Sequence, residues 1–111
     1  MLKGTAFACR QLEWEKEMPA YLVLQMEVTD AEKLAQYREI AAPIAQKYGG
    51  KYLARGGRME VVEGNSLPRI VIAEFPSMDA FRQFYDAPEY QEPKALRQSA
   101  TRGTAFVVEG Q

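Results

Sequence analysis

The sequence predicts an α+β domain of β-α-β-β-α-β order, the ferredoxin-like arrangement, in which two helices cover one face of an antiparallel sheet. Strand-like alternation and helix-like spacing of apolar residues follow one another in that order. A weak internal repeat supports the order, because a shift of 47 positions aligns Glu27 with Glu74 and Leu34 with Phe81. The 111 residues suit one two-layer domain.

The first predicted strand covers residues 20–28, where apolar residues occupy every second position. A strand of this kind has one fully apolar face, which is the natural seat for the helices. That face consists of Leu22, Leu24, Met26 and Val28.

The first helix is predicted to begin at a capping box, formed by Thr29 and by Glu32 three residues later. Apolar residues then recur at helical spacing until Gly49-Gly50, where glycine can adopt the left-handed conformation that ends a helix. Pro43 lies inside this segment and is expected to bend the helix or break it locally.

The middle of the chain predicts two strands. Residues 51–63 have strand character interrupted by Gly56-Gly57, which suits either a tight turn or a bulge in one long strand, and we favour the bulge. A turn follows, and residues 69–75 form the next strand.

In the last third, Ser77 is predicted to cap a second helix that ends near Pro88. A short helical turn is expected after Pro93, through Leu96, and residues 104–109 form the last strand.

The first 17 residues differ in composition from the rest, so we predict that residues 1–17 are an N-terminal extension and that residues 18–111 are the domain. Two interpretations stay open. Either Met18 is the natural start, or the segment is a frayed terminal arm with Trp14 docked on the domain or on a partner.

The second face of the predicted sheet is also largely apolar at its centre, although no helix covers it in this topology. An exposed apolar patch of this size needs a partner, and a second copy of the same sheet is the simplest one. We therefore predict a homodimer through this open sheet face, whose central apolar residues are Tyr21, Val23, Ile70 and Ile72.

Composition narrows the possible functions. Fourteen basic and fifteen acidic residues leave a net charge of −1, so there is no strong positive field to attract nucleic acid or a membrane. Histidine is absent and Cys9 is the single cysteine, which argues against zinc sites, iron–sulfur clusters and histidine-based nucleophile pairs. We expect a cytoplasmic protein without a bound cofactor or metal.

Several segments between Ala20 and Gly110 resemble the bacterial family of unknown function called DUF1330, of the dimeric α+β barrel superfamily. The resemblance is carried by Ala20-Tyr21-Leu22-Val23, the run from Tyr48 to Gly57, Glu63-Gly64, Glu74-Phe75-Pro76-Ser77, Phe84-Tyr85 and Ala95-Leu96-Arg97. It implies a ferredoxin-like subunit whose sheet packs against a partner's sheet to close a barrel.

The resemblance implies little about activity. Relatives in the superfamily include cofactor-free quinone-forming monooxygenases, muconolactone isomerases and haem enzymes, and the fold alone does not choose among them. The missing histidine speaks against the haem enzymes.

Four residues are candidates for a site. Arg55, next to two glycines, could bind a carboxylate or enolate, or it could form an ion pair that braces the bulge. Glu74 among apolar neighbours could act as a catalytic general base, or it could simply accept a hydrogen bond from Tyr21, its expected cross-strand neighbour.

Tyr37 and Tyr85 could line a ligand pocket between helix and sheet, although tyrosines on an apolar helix face are more often core residues. Arg97 is expected to have a structural role. Two hypotheses for the function follow. The first is a small-molecule-binding protein that could be a cofactor-free enzyme on a small carboxylated or enolisable compound. The second is a non-catalytic binding or stress-related dimeric module.

Overall fold

The computed structural model describes residues 18–111. The predicted N-terminal extension, residues 1–17, and the docking of Trp14 lie outside the described residues. No helix within the described part of the chain is long and apolar enough to cross a membrane.

Seven elements build a four-stranded sheet with helices on one face, and the sheet has the strand order β2-β3-β1-β4 with every pair antiparallel. The elements are β1 (Ala20–Val28), α1 (Ala31–Lys47), β2 (Lys51–Arg55), β3 (Arg69–Phe75), α2 (Met78–Tyr85), α3 (Pro88–Ala100) and β4 (Thr101–Glu109). The predicted α+β, ferredoxin-like fold is confirmed.

The two central strands, β1 and β3, separate the core from the open face by simple alternation. Tyr21 pairs with Glu74, and Val23 pairs with Ile72, on the face without helices. The alternate residues face the helices and are buried, as predicted: Leu22, Leu24, Met26, Val71, Ala73 and Phe75.

Aromatic side chains join α2 and α3 to the sheet. The Phe84 ring centroid lies 5.1 Å from that of Phe75 and 4.3 Å from that of Tyr90. Tyr90 and Phe75 are fully buried, so α3 is an integral part of the core.

The predicted cap of α2 is confirmed, because Ser77 accepts a hydrogen bond from the Ala80 amide at 3.0 Å. The predicted cap of α1 is wrong by one residue. Asp30 caps the helix and accepts from the Lys33 amide at 3.1 Å. The Thr29 amide instead donates to the Ala100 carbonyl at 2.8 Å, which holds Thr29 outside the helix.

Pro43 does not break α1, which is continuous from Ala31 to Lys47. Proline removes one hydrogen bond to the carbonyl four residues earlier, that of Glu39. Because Pro43 and Glu39 are both on the exposed side of the helix, water can satisfy this carbonyl.

The single long bulged strand over residues 51–63 is wrong. The strand β2 ends at Arg55, and the irregularity in its pairing lies earlier, between Tyr52 and Ala54. Its partner β3 begins at Arg69, directly after Pro68, which has no amide hydrogen to extend the pairing.

The helical turn expected near Pro93 is also wrong, since α3 spans 13 residues from Pro88 to Ala100. Pro88 occupies the first turn, where its fixed φ favours the start of a helix and its missing amide hydrogen costs nothing. Accordingly, β4 begins at Thr101, three residues earlier than predicted.

Candidate functional site

A small cavity lies between α1 and the sheet. Its floor is apolar and includes Leu24, Val71 and Ala73, and its helix side includes Leu34 and Tyr37. The core-facing residues of β1 and β3 therefore also shape this cavity.

The volume of the cavity is about 30 Å³, and the cavity is partly open to solvent. A cavity of about 150 Å³ can bind benzene, and about 10–15 Å³ suffices for one water. The cavity thus has room for a short apolar group, and any larger part of a ligand has to lie at the mouth.

Three arginines line the cavity: Arg38 from α1, Arg55 from β2 and Arg69 from β3. Pairing with Val71 places Arg55 on the helix-facing side of the sheet. Four ion pairs join residues within 18–111, and none of them includes these arginines. The site therefore has an excess of positive charge.

The guanidinium of Arg69 packs against Gly56. A Cβ at position 56 would meet the Arg69 Nη1 and Cζ atoms and would lie 2.6 Å from Nη2. Gly56 also has a φ of 73°, which favours glycine. The Arg69 Nε is buried and has no hydrogen-bond partner among the described residues.

Arg55 itself is exposed, and its Cζ atom lies 4.4 Å from the centroid of the Tyr52 ring. Such stacking orients a guanidinium while its N–H groups stay free for another acceptor. The glycine next to Arg55 thus makes room for Arg69, and Arg55 is positioned by an aromatic ring.

Two tyrosine hydroxyls meet beneath α1. The hydroxyl oxygens of Tyr37 and Tyr90 lie 2.8 Å apart and form a buried hydrogen bond. Burial, and next the proximity of Tyr90, raise the pKa of Tyr37 far above its usual value. Tyr37 is therefore a neutral phenol at physiological pH, suited to donate a hydrogen bond rather than to accept a proton.

Tyr52 lies on the same side of the sheet and is half-buried. Burial raises its pKa, and Tyr90 adds to the increase, while Arg55 and Arg97 act in the opposite direction. Tyr37 and Tyr52 thus place two neutral phenols beside the arginines.

Glu74 lies on the opposite face of the sheet from this cavity. The Tyr21 hydroxyl donates a hydrogen bond to its Oε2 at 3.2 Å, and the Lys51 Nζ lies 3.6 Å from its Oε1. The expected cross-strand contact with Tyr21 is confirmed. The structure does not bring Glu74 and Arg55 together within one chain.

Tyr85 lies outside the cavity as well. Its ring stacks on Phe81 with centroids 5.3 Å apart, and the Lys94 Nζ lies 4.4 Å from its centroid. Of the four predicted site residues, the cavity gathers Tyr37 and Arg55.

Arg38, Arg69 and Tyr90 are not among the residues that the sequence predicts for the site. Arg38 directly follows Tyr37, and Arg69 begins a strand, so neither stands out in a pattern of apolar residues. The signal that could have found Arg69 is Gly56, since close approach by another group is one reason for a glycine in a strand. No group of three potential metal ligands occurs within residues 18–111.

Solved structures share this fold. RPA0582, a protein of unknown function from Rhodopseudomonas palustris, matches with a TM-score of 0.73 at 22% identity, covering 99% of this chain and 96% of its own. SnoaB, a cofactor-independent oxygenase from Streptomyces nogalater, matches with a TM-score of 0.63 at 15% identity, covering 85% and 94%.

A dimeric ferredoxin-like protein of unknown function from Thermobifida fusca matches with a TM-score of 0.59 at 19% identity, covering 85% of this chain and 92% of its own. Such identities establish a shared fold and nothing about activity. No curated protein matches the chain significantly. Residues 19–111 match the family described as Domain of unknown function (DUF1330), and the chain therefore belongs to that family, as its resemblance predicted.

Proposed function

We propose that this protein binds a small carboxylate in the cavity between α1 and the sheet. The observation that carries the proposal is the position of Arg38, Arg55 and Arg69 around an apolar cavity, with no carboxylate within ion-pair distance in the described part of the chain. An anionic ligand would supply the missing negative charge.

The geometry favours a short ligand with one charged end. A guanidinium binds a carboxylate through two parallel N–H···O bonds, which fixes the orientation of the ligand as well as its charge. The apolar tail would enter the cavity, whose volume of about 30 Å³ favours a chain of a few carbons over an aromatic ring.

We favour the hypothesis that the carboxylate is bound and not chemically converted. Within residues 18–111 the cavity lining contains no carboxylate and no thiol that could accept a proton from a ligand. The Tyr37 hydroxyl is held neutral by burial and by Tyr90, so it would stabilise a bound oxygen rather than remove a proton.

A cofactor-free reaction on an enolisable oxo acid is the second candidate, and Glu39 is the observation in its favour. This exposed carboxylate lines an outer concavity together with Arg38 and Arg55. Exchange of the C3 hydrogens of 2-oxobutyrate in D₂O, followed by proton NMR, tests it. Exchange faster than in buffer, and slowed in Glu39→Gln, would favour the enzyme over the binding protein.

Calorimetric titration of butyrate and of its neutral analogue butyramide tests the binding proposal. Butyrate should bind with a Kd that weakens at least about tenfold in both Arg55→Ala and Arg55→Lys, because lysine keeps the charge but loses the paired donors. Arg102→Ala is the matched control, since Arg102 pairs with Glu27 near the opposite edge of the sheet.

Equal binding of butyrate and butyramide would contradict the proposal. So would a large loss of stability in Arg55→Ala with unchanged butyrate binding, because Arg55 would then only brace the end of β2.

We also propose that two copies associate through the open sheet face, as the sequence predicts. Val23, Ile70 and Ile72 are half-buried there, and β4 adds Phe106 and Val108, which are 44% and 53% exposed. Proteins of this fold from Thermobifida fusca and Bacteroides fragilis are described as dimeric, which supports the proposal by analogy. A location in the cytoplasm, which the single cysteine leads us to expect, is likewise a proposal.

A further inference from the structure

A second candidate arginine site lies at Arg97 in α3, next to a groove different from the cavity. This side chain is 7% exposed, which is unusual because a charged residue is rarely buried without a partner. Its Nε atom is buried and has no hydrogen-bond acceptor among the described residues.

The charge of Arg97 is not neutralised within residues 18–111. None of the four ion pairs includes Arg97. Its Cζ atom lies 5.8 Å from the centroid of the Tyr37 ring, which is a weak cation–π contact. The Tyr37 and Tyr90 hydroxyls bond to each other, and Tyr90 is also placed to bond to the Arg97 guanidinium, but a phenol hydroxyl does not offset a full positive charge as a carboxylate does.

A groove of about 310 Å³ lies next to Arg97, between α3 and the strands β1 and β4. Its lining includes the polar residues Gln98, Thr101 and Thr104, and Arg97 is the one charged residue among the described residues that line it. The Thr101 hydroxyl donates to the Arg97 carbonyl at 2.9 Å, which fixes the end of α3 against β4.

We propose that this groove is a second anion site, which takes a small polar monocarboxylate, such as a hydroxy acid, with its carboxylate on Arg97. One guanidinium matches one carboxylate in charge and geometry, whereas a phosphate dianion would bring more charge than a single arginine neutralises. The polar lining distinguishes this site from the apolar cavity on the α1 side.

Lactate and its neutral analogue lactamide are suitable probes for the unmodified chain of residues 1–111. The arginine Nε–H signals in ¹⁵N NMR spectra give a readout at the residue itself. Lactate should shift the Arg97 signal in a saturable way, with a Kd in the millimolar range, and lactamide should not.

Variants separate this site from the cavity. Arg97→Met should remove this site and weaken the lactate binding assigned to it at least about tenfold, or ~1.4 kcal/mol, while in Arg55→Ala the Kd read from the Arg97 signal should be unchanged within about twofold. Because a buried unpaired charge is unfavourable, Arg97→Met should also keep or raise the Tm. Arg97→Lys, which keeps the charge, should retain weaker binding.

Three results would overturn the inference. In the unmodified chain, lactate and lactamide could shift the Arg97 signal equally. Lactate binding could depend on Arg55 and not on Arg97, which would assign it to the cavity. Arg97→Met could lower the Tm while lactate leaves the Arg97 signal of the unmodified chain in place, which would make Arg97 purely structural.

Discussion

The buried hydrogen bond between Tyr37 and Tyr90 leads to a quantitative prediction. The two hydroxyls are 2.8 Å apart, and the residues are 6% and 1% exposed. Replacing either tyrosine by phenylalanine leaves the other hydroxyl buried without this partner. An orphaned buried polar group costs about 1–3 kcal/mol, whereas the removal of both partners is close to neutral.

Each single variant, Tyr37→Phe or Tyr90→Phe, should therefore lower the free energy of unfolding by about 1–3 kcal/mol. For a domain of this size, each 1 kcal/mol corresponds to a decrease in Tm of roughly 4–8 °C. The double variant should be less destabilised than the sum of the singles, with a coupling energy of about 0.5–3 kcal/mol.

Urea unfolding of the four proteins, followed by circular dichroism, measures this cycle. The m-value should stay constant, so that the change in midpoint reports stability alone. Strictly additive effects of the two substitutions would refute the reasoning, because they would show that the hydroxyls do not depend on each other.

Further predictions concern pH, assembly, the terminus and the turn. The pKa of Tyr37 is higher in the folded chain than its unfolded value of about 10. Stability should therefore fall as pH rises above about 10, where only the unfolded chain releases the proton, and less steeply in Tyr37→Phe. Ile72→Asp should give monomers or unfolded chain in sedimentation velocity, and a stable monomer of the unmodified protein would contradict the proposed dimer. Deletion of residues 1–17 should leave the Tm nearly unchanged. Gly56→Ala should cost at least about 1 kcal/mol in urea unfolding, because alanine is strained at positive φ and its Cβ meets Arg69.

The central sheet could be predicted from the sequence because its residues alternate without interruption. The same alternation that buries Leu22 and Val71 places Tyr21 opposite Glu74, so pairing and register followed from one pattern. Period-two alternation is decisive here, since a slip by one residue would expose the entire core face.

The ends of the elements were less predictable because they depend on contacts distant in sequence. The strand β2 ends at Arg55, opposite Val71 of β3, and residues 56–63 have no strand to pair with among the described residues. The helix α3 includes Pro93, and its packing through Tyr90 against Phe84 outweighs the local preference against proline.

Only part of the site could be predicted, because residues that bind ligands do not recur at a regular spacing in the sequence as core residues do. The two glycines after Arg55 led to its prediction as a site residue. In the structure, Gly56 makes space for Arg69, which comes from the neighbouring strand. Arg97 was expected to be structural, and its burial without a carboxylate among the described residues is a property of the packed fold that composition cannot reveal.

The alternation of side chains along the strands also places the candidate site residues on two opposite faces of the sheet. Arg55 and Tyr52 pair with helix-facing residues of β3, while Glu74 pairs with Tyr21 on the open face. A ligand in the cavity therefore lies on the far side of the sheet from Glu74. Substitutions at Glu74 should act on association, and substitutions at Arg55 on ligand binding, so the two proposed functions of the sheet can be tested separately.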